Sequence, residues 1–144
     1  MPTKSALRVR IHTDEAINES ISRHIEKNVA YFAGHPERIV QRLDELDAEW
    51  DVERMLETGS STLTLAGLIL GIARDRKWLL LSLAVQGFLM QHALQGWCPP
   101  LPMLRRLGFR TQYEIERERY ALKAIRGDFG QASEPLKVMQ AVAE

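Results

Sequence analysis

Cys98 is the one cysteine in the chain, and it stands in Gly96-Trp97-Cys98-Pro99-Pro100. It is the residue to which nucleophilic or sulfur-carrying chemistry can be attached, and such chemistry needs the thiolate. Arg105 and Arg106 follow closely and would favour that form. A helix C-terminus, which the two prolines place just before Cys98, presents the negative end of the helix dipole and opposes it. A cysteine there serves equally well as a small buried hydrophobe, so Cys98 is a weak catalytic candidate. His92 is the other side chain with chemistry to offer, as a metal or haem ligand. It lies among Gln86, Gln91 and Gln95, a setting that suits hydrogen bonding between helices. One cysteine excludes an internal disulfide and a multi-cysteine zinc site. The chain has no phosphate-binding loop, dinucleotide fingerprint, nucleophile elbow or metalloprotease H-E-x-x-H. No metal and no cofactor are expected, and the chain reads as non-catalytic.

These residues sit in two uncharged runs. No Asp, Glu, Lys or Arg falls between Thr58 and Ala73, or between Trp78 and Leu104. Arg74-Asp75-Arg76-Lys77 joins the runs as a tight charged turn. As a helix the first run is roughly 24 Å long, slightly short for a hydrocarbon core of about 30 Å. The second extends from Trp78 to about Trp97 and is long enough. The expectation is an all-α protein built on a transmembrane helical hairpin over 58–104. Its competitor is a soluble helical bundle with a Leu-rich core, serving as an interaction module. Gly67 and Gly71 form a G-x-x-x-G pair, which lets a second helix approach closely. With Gln91, His92 and Gln95 they are the candidate helix-packing residues.

The flanking segments are amphipathic helices. Residues 1–57 read as a basic arm (Lys4, Arg8, Arg10) followed by a helical pair. In the first helix Ile17, Ile21, Ile25, Val29 and Phe32 recur near every fourth residue, interrupted by Asn28, with Thr13 as the expected N-cap. Gly34-His35-Pro36 stops it. The second helix carries a seam of Ile39, Leu43, Leu46 and Trp50 and is otherwise acidic. Pro99 and Pro100 end the second apolar run, and Leu101–Leu104 reads as an extended surface segment. A C-terminal amphipathic helix follows within 105–127, opened by the capping box Thr111–Glu114 and closed by Gly127. Residues 128–144 read as a mobile tail. The acidic second helix and the basic C-terminal helix are expected to lie near each other. Arg105, Arg106 and Arg110 are the expected contacts with anionic lipid or an acidic partner.

Composition fits this organisation. The chain has 144 residues and a formal net charge of zero, so it offers no global field for nucleic acid. Met1–Asn18 is polar, with no targeting segment. Lysines and arginines are more numerous outside the charged turn than in it, which places both termini in the cytoplasm.

Gly96-Trp97-Cys98-Pro99, followed by Leu107-Gly108-Phe109-Arg110, resembles the YgaP-like two-helix transmembrane domain of bacterial inner membranes, a domain of unknown function. The resemblance covers roughly residues 50–110 and carries over Gly96, Cys98, Pro99 and Gly108 as motif positions. It implies an inner-membrane hairpin. Some members carry a rhodanese domain, a sulfurtransferase, which this chain lacks; sulfur transfer is implied only weakly. Three functions follow as expectations. The first is a small non-catalytic membrane protein that self-associates or serves as an accessory subunit of a larger membrane complex, with lipids and protein as partners. The second is a thiol-dependent sulfur relay at Cys98. The third is the soluble interaction module.

Overall fold

The computed structural model describes residues 4–130 together with Met139 and Val142. The tail expected over 128–144 therefore falls, beyond residue 130, almost wholly outside the described residues. Every regular element among the described residues is helical. The α-helices are α1 (Arg8–Ile11), α2 (Glu15–Ala33), α3 (Ile39–Ala48), α4 (Val52–Ala73), α5 (Leu79–Gln95), α6 (Leu101–Arg106) and α7 (Gln112–Arg126). The chain forms two compact units. One comprises Met1–Glu19 and Trp50–Gln112, the other Ser20–Glu49 and Tyr113–Glu144.

The first unit is organised by α4. Asp51 caps it, its side chain accepting from the Arg54 N–H at 2.7 Å, which satisfies one of the donors a helix start leaves open. The helix passes through Gly59-Ser60 without a break. Asp75 caps the next turn in the same way, accepting from the Lys77 N–H at 2.9 Å, and α5 begins four residues later. Among the described residues one helical stretch, within Pro36–Ala73, is long and apolar enough to cross a membrane by length and composition. Gly67 and Gly71 both face α5. A Cβ on Gly67 would collide with Ser82 Oγ and lie 3.1 Å from the Trp78 carbonyl oxygen. One on Gly71 would lie 2.5 Å from Leu79 Cδ2. The partner of the glycine pair is thus the second apolar run of the same chain. Ser82 Oγ donates to the Thr64 carbonyl at 2.9 Å and Gln86 Nε2 to Thr64 Oγ1 at 2.8 Å. Ser82, 7% exposed, therefore lies between α4 and α5, whereas Gln86 is exposed and the helices present large apolar side chains outward, Ile72 at 86% and Leu94 at 77%.

Several local expectations are corrected. The arm at residues 1–12 is not loose from Lys4 onward: α1 forms, and Val9 is buried in a core with Val52, Leu56, Leu101 and Leu104. Asp14, not Thr13, caps α2, accepting from the Ala16 N–H at 3.0 Å. Thr13 turns its hydroxyl to the Val9 carbonyl instead, at 2.8 Å. Leu101–Leu104 is helical rather than extended. Pro102 falls in the first turn of α6, where no N–H is required, and Pro100 stands at its N-cap, while α5 has already ended at Gly96.

In the second unit Ile39, Leu43 and Leu46 of α3 pack with Ile115 and Leu122 of α7, flanked by Val29 and Phe32 of α2. The expected seam of α3 thus holds for three of its four members. The helix ends at Ala48, and Trp50 lies beyond it, with the Arg54 guanidinium 4.5 Å above its ring. The acidic α3 and basic α7 do meet, but the ion pairs run both ways. Arg119 reaches Asp47 at 2.5 Å, while Arg42 of α3 reaches Glu118 of α7 at 2.9 Å. Glu118 is fully buried and also accepts from Asn28 Nδ2 at 3.1 Å. That accounts for the one polar interruption in the α2 stripe: a buried carboxylate requires donors.

Candidate functional site

The site grows from the end of α5. Gly96 closes that helix in the left-handed conformation, φ 82°, which glycine adopts without steric cost. A Cβ there would also lie 2.7 Å from the Arg8 backbone. Gly96 is therefore required twice, for its dihedral and for the approach of α1 over the end of α5. That approach delivers Arg8 to Glu53 on α4: Nη2 donates to Oε1 at 2.9 Å. The other carboxylate oxygen of Glu53 lies 2.9 Å from His92 Nε2. The His92 hydrogen bond is the chief cause that holds the Glu53 carboxyl below the usual carboxylate range, and Arg8 adds to it against the opposing effect of burial.

An ionised carboxylate only accepts hydrogen bonds. His92 must then carry a proton on Nε2. His92 is 1% exposed, and Nδ1 has no hydrogen-bond partner. Cys98 follows six residues later, past the turn at Gly96. Cys98 is itself buried, within the core formed by Val9, Val52, Leu56, Leu101 and Leu104. Glu53 thus orients the His92 imidazole at the end of α5. The carboxylate is anchored in turn by Arg8.

Cys98 also borders a cavity of about 530 Å³, inside the range of about 300–1,000 Å³ typical of small-molecule sites. Its walls are Met55, Leu56 and Leu63 of α4, Val85, Phe88 and Leu89 of α5, and the turn Cys98–Pro100, with Ser60 as a polar member. Among the described residues no group of three His, Cys, Asp or Glu side chains is placed to hold a metal ion.

The structure separates the sequence candidates. Gly67, Gly71 and His92 are buried; Gln91 is half-buried and Gln95 exposed. The hydrogen bond from the glutamines to α4 comes from Gln86 instead. Of the motif positions, Gly96 and Cys98 are buried, Pro99 lines the cavity, and Gly108 terminates α6 with φ 92°. The arginines are corrected. Arg105 is 1% exposed. It donates to Thr13 Oγ1 at 3.2 Å, Asn18 Oδ1 at 3.2 Å and the Phe109 carbonyl at 3.0 Å. Arg110 is buried too, and its carbonyl accepts from the Val52 N–H at 2.9 Å. Neither is a lipid contact; only Arg106 of the three is exposed. Sequence reasoning took His92 as a packing residue and missed its bond to Glu53. It missed Glu53 and Arg8 altogether. No local spacing signals the pair, since Glu53 and His92 stand 39 positions apart.

Comparison with models of known families, with curated proteins and with solved structures returned no match.

Proposed function

We propose that the chain is a small integral membrane protein of the YgaP-like kind, in which α4 and α5 cross the bacterial inner membrane as a hairpin. Both termini lie on the cytoplasmic side. The protein acts by self-association or as an accessory subunit of a larger membrane complex. One observation carries this reading: the polarity of the α4–α5 pair is inverted. Buried Ser82 bonds to the Thr64 carbonyl between the helices, while Leu65, Ile69, Ile72, Leu80, Leu83 and Leu94 stand outside. In water such a surface is costly at about 25 cal/mol per Å²; in hydrocarbon it is the expected arrangement. The 17 residues of α5 make roughly 25 Å of helix, so the bilayer thins slightly around the pair. Glu53, Arg8 and the charged turn Arg74–Lys77 then fall at opposite interfaces. Isolated membranes washed with alkaline carbonate test the reading. The protein stays in the pellet if it is integral, and quantitative release returns it to the soluble-module class. Purification in mild detergent, with identification of what co-purifies, separates self-association from the accessory role.

A second reading, thiol-dependent chemistry at Cys98, draws support from the His92–Glu53 pair six residues before it in the chain. Replacement of Cys98 by Ser distinguishes it: a purely structural protein keeps its complexes, and a thiol-dependent one loses its activity with the fold intact.

A further inference from the structure

We propose that α5 pairs with α5 of a second copy along the face of Leu79, Leu83, Gln86, Met90 and Ala93, with the two Gln86 amides bonded to each other across a two-fold axis. This rests on the reading of α4 and α5 as a membrane hairpin, and it names the partner and the surface of self-association. Gln86 is the eighth of the 17 residues of α5, which sets it near mid-bilayer. Its side chain is exposed. One amide N–H goes to Thr64 Oγ1 at 2.8 Å. A glutamine amide carries a second donor and a carbonyl acceptor, and among the described residues neither meets a partner. The hydroxyls around it differ: Ser60, Thr62 and Ser82 each donate to a backbone carbonyl of the hairpin. In hydrocarbon an unmet amide group costs free energy that water would otherwise offset, so such side chains turn to a neighbouring helix.

Acyl chains offer the amide nothing. A second copy, inserted with the same orientation, runs its α5 parallel and holds its own Gln86 at the same depth. A primary amide is its own complement, partial positive hydrogen against partial negative oxygen, so the pair exchanges two hydrogen bonds in an isologous contact. The surrounding face fits this geometry. Its five members are spaced by four, three, four and three residues, the period of a left-handed helix pair. All are exposed, Leu83 at 70% and Met90 at 64%. The outward face of α4, with Leu65, Leu68 and Ile72, has similar spacing but no amide to pair. A polar side chain at one position of such a seam fixes register and helix number. The Thr64 bond holds the Gln86 amide at the margin of the α4–α5 contact, so the new interface continues the existing one and brings four helices together.

The test uses the full chain with single cysteines in a Cys98→Ser background, reconstituted in phospholipid vesicles at low protein density and oxidised with copper phenanthroline. Leu83→Cys and Met90→Cys should form disulfide-linked dimers. Leu80→Cys, on the adjoining face of α5, and Ile72→Cys, on α4, should stay monomeric. Sedimentation in mild detergent then reads the amide. Gln86→Leu should raise the dimer dissociation constant by ~10-fold or more, because two interhelical bonds are lost. Thr64→Val removes the bond within the chain and leaves the amide for its partner, so it should keep the dimer. Disulfides from Leu80→Cys or Ile72→Cys instead, or a dimer indifferent to Gln86→Leu, would assign self-association to another surface and overturn the proposal. Monomer from every variant, in protein that resists alkaline carbonate, would end it and leave the membrane reading standing. Release by carbonate would remove both, since in water the amide needs no partner.

Discussion

Substitution of Gly67 by Ala tests the α4–α5 contact against its own internal control. Within a helix, glycine costs about 0.8–1.0 kcal/mol relative to alanine, so a change that meets open space stabilises by about that amount. Gly87, on α5, is such a position, with nothing within 4 Å of an added methyl. At Gly67 the same methyl would strike Ser82 Oγ and lie 3.1 Å from the Trp78 carbonyl oxygen and 3.2 Å from the Ser82 nitrogen. The hydroxyl can turn away, but only by giving up its 2.9 Å bond to the Thr64 carbonyl, worth about 1 kcal/mol. The two backbone atoms cannot move without shifting α5, and overpacking of this kind costs about 1–3 kcal/mol. Gly67→Ala therefore loses about 2–4 kcal/mol from clash and hydrogen bond and recovers about 1 from propensity, for a net loss of about 1–3 kcal/mol. Gly87→Ala gains up to about 1 kcal/mol. Reversible unfolding of both variants in the same detergent, followed by circular dichroism, reads the difference. Equal stability of the two would mean that α5 does not pack on Gly67, and the account of the helix pair would be wrong.

Three further outcomes follow from buried contacts. Gly96→Ala combines a left-handed dihedral, which costs a non-glycine residue about 1–2 kcal/mol, with a 2.7 Å approach to the Arg8 backbone; its melting temperature should fall, and a neutral effect would contradict the α1 placement. Arg105→Met removes a buried guanidinium that holds Thr13, Asn18 and the Phe109 carbonyl. It should cost about 3 kcal/mol or more, whereas the exposed Arg106→Met should stay within about 0.5 kcal/mol, both measured by denaturant unfolding. Glu53 has its carboxyl held low by the His92 hydrogen bond and by Arg8, so its contribution is present above the unfolded carboxylate value and lost as pH falls through the lower folded one. Melting temperature should drop more steeply on acidification in the native chain than in Glu53→Gln, and identical pH profiles would exclude the coupling.

The parts of the fold written in local pattern were legible in the sequence. The stripe of α2, three seam residues of α3, the C-terminal helix ending before Gly127 and the two uncharged runs all depend on spacing along one segment. The G-x-x-x-G pair announced a close contact, but only the structure supplies Ser82 and Leu79 as the surfaces it meets. What escaped depends on residues brought together from afar. Arg8 reaches Glu53 across 45 positions, and Glu53 reaches His92 across 39. Arg105 is separated from its Thr13 and Asn18 partners by 92 and 87 positions. An arginine just after an apolar segment resembles a headgroup anchor, and nothing local reveals that buried acceptors await it. The extended segment was misjudged for a different reason: proline stops one helix and starts another with the same chemistry.

The central claim, that the outward apolar faces of α4 and α5 lie in lipid, is tested most directly by nitroxide labels at Ile69 and Leu83. Each is introduced as a single cysteine in a Cys98→Ser background and reconstituted in phospholipid vesicles. The account predicts frequent collision with oxygen, which concentrates in the bilayer, and little with a water-soluble nickel chelate. Labels that meet the nickel chelate as readily as a label at exposed Lys77 would place those faces in water and contradict it.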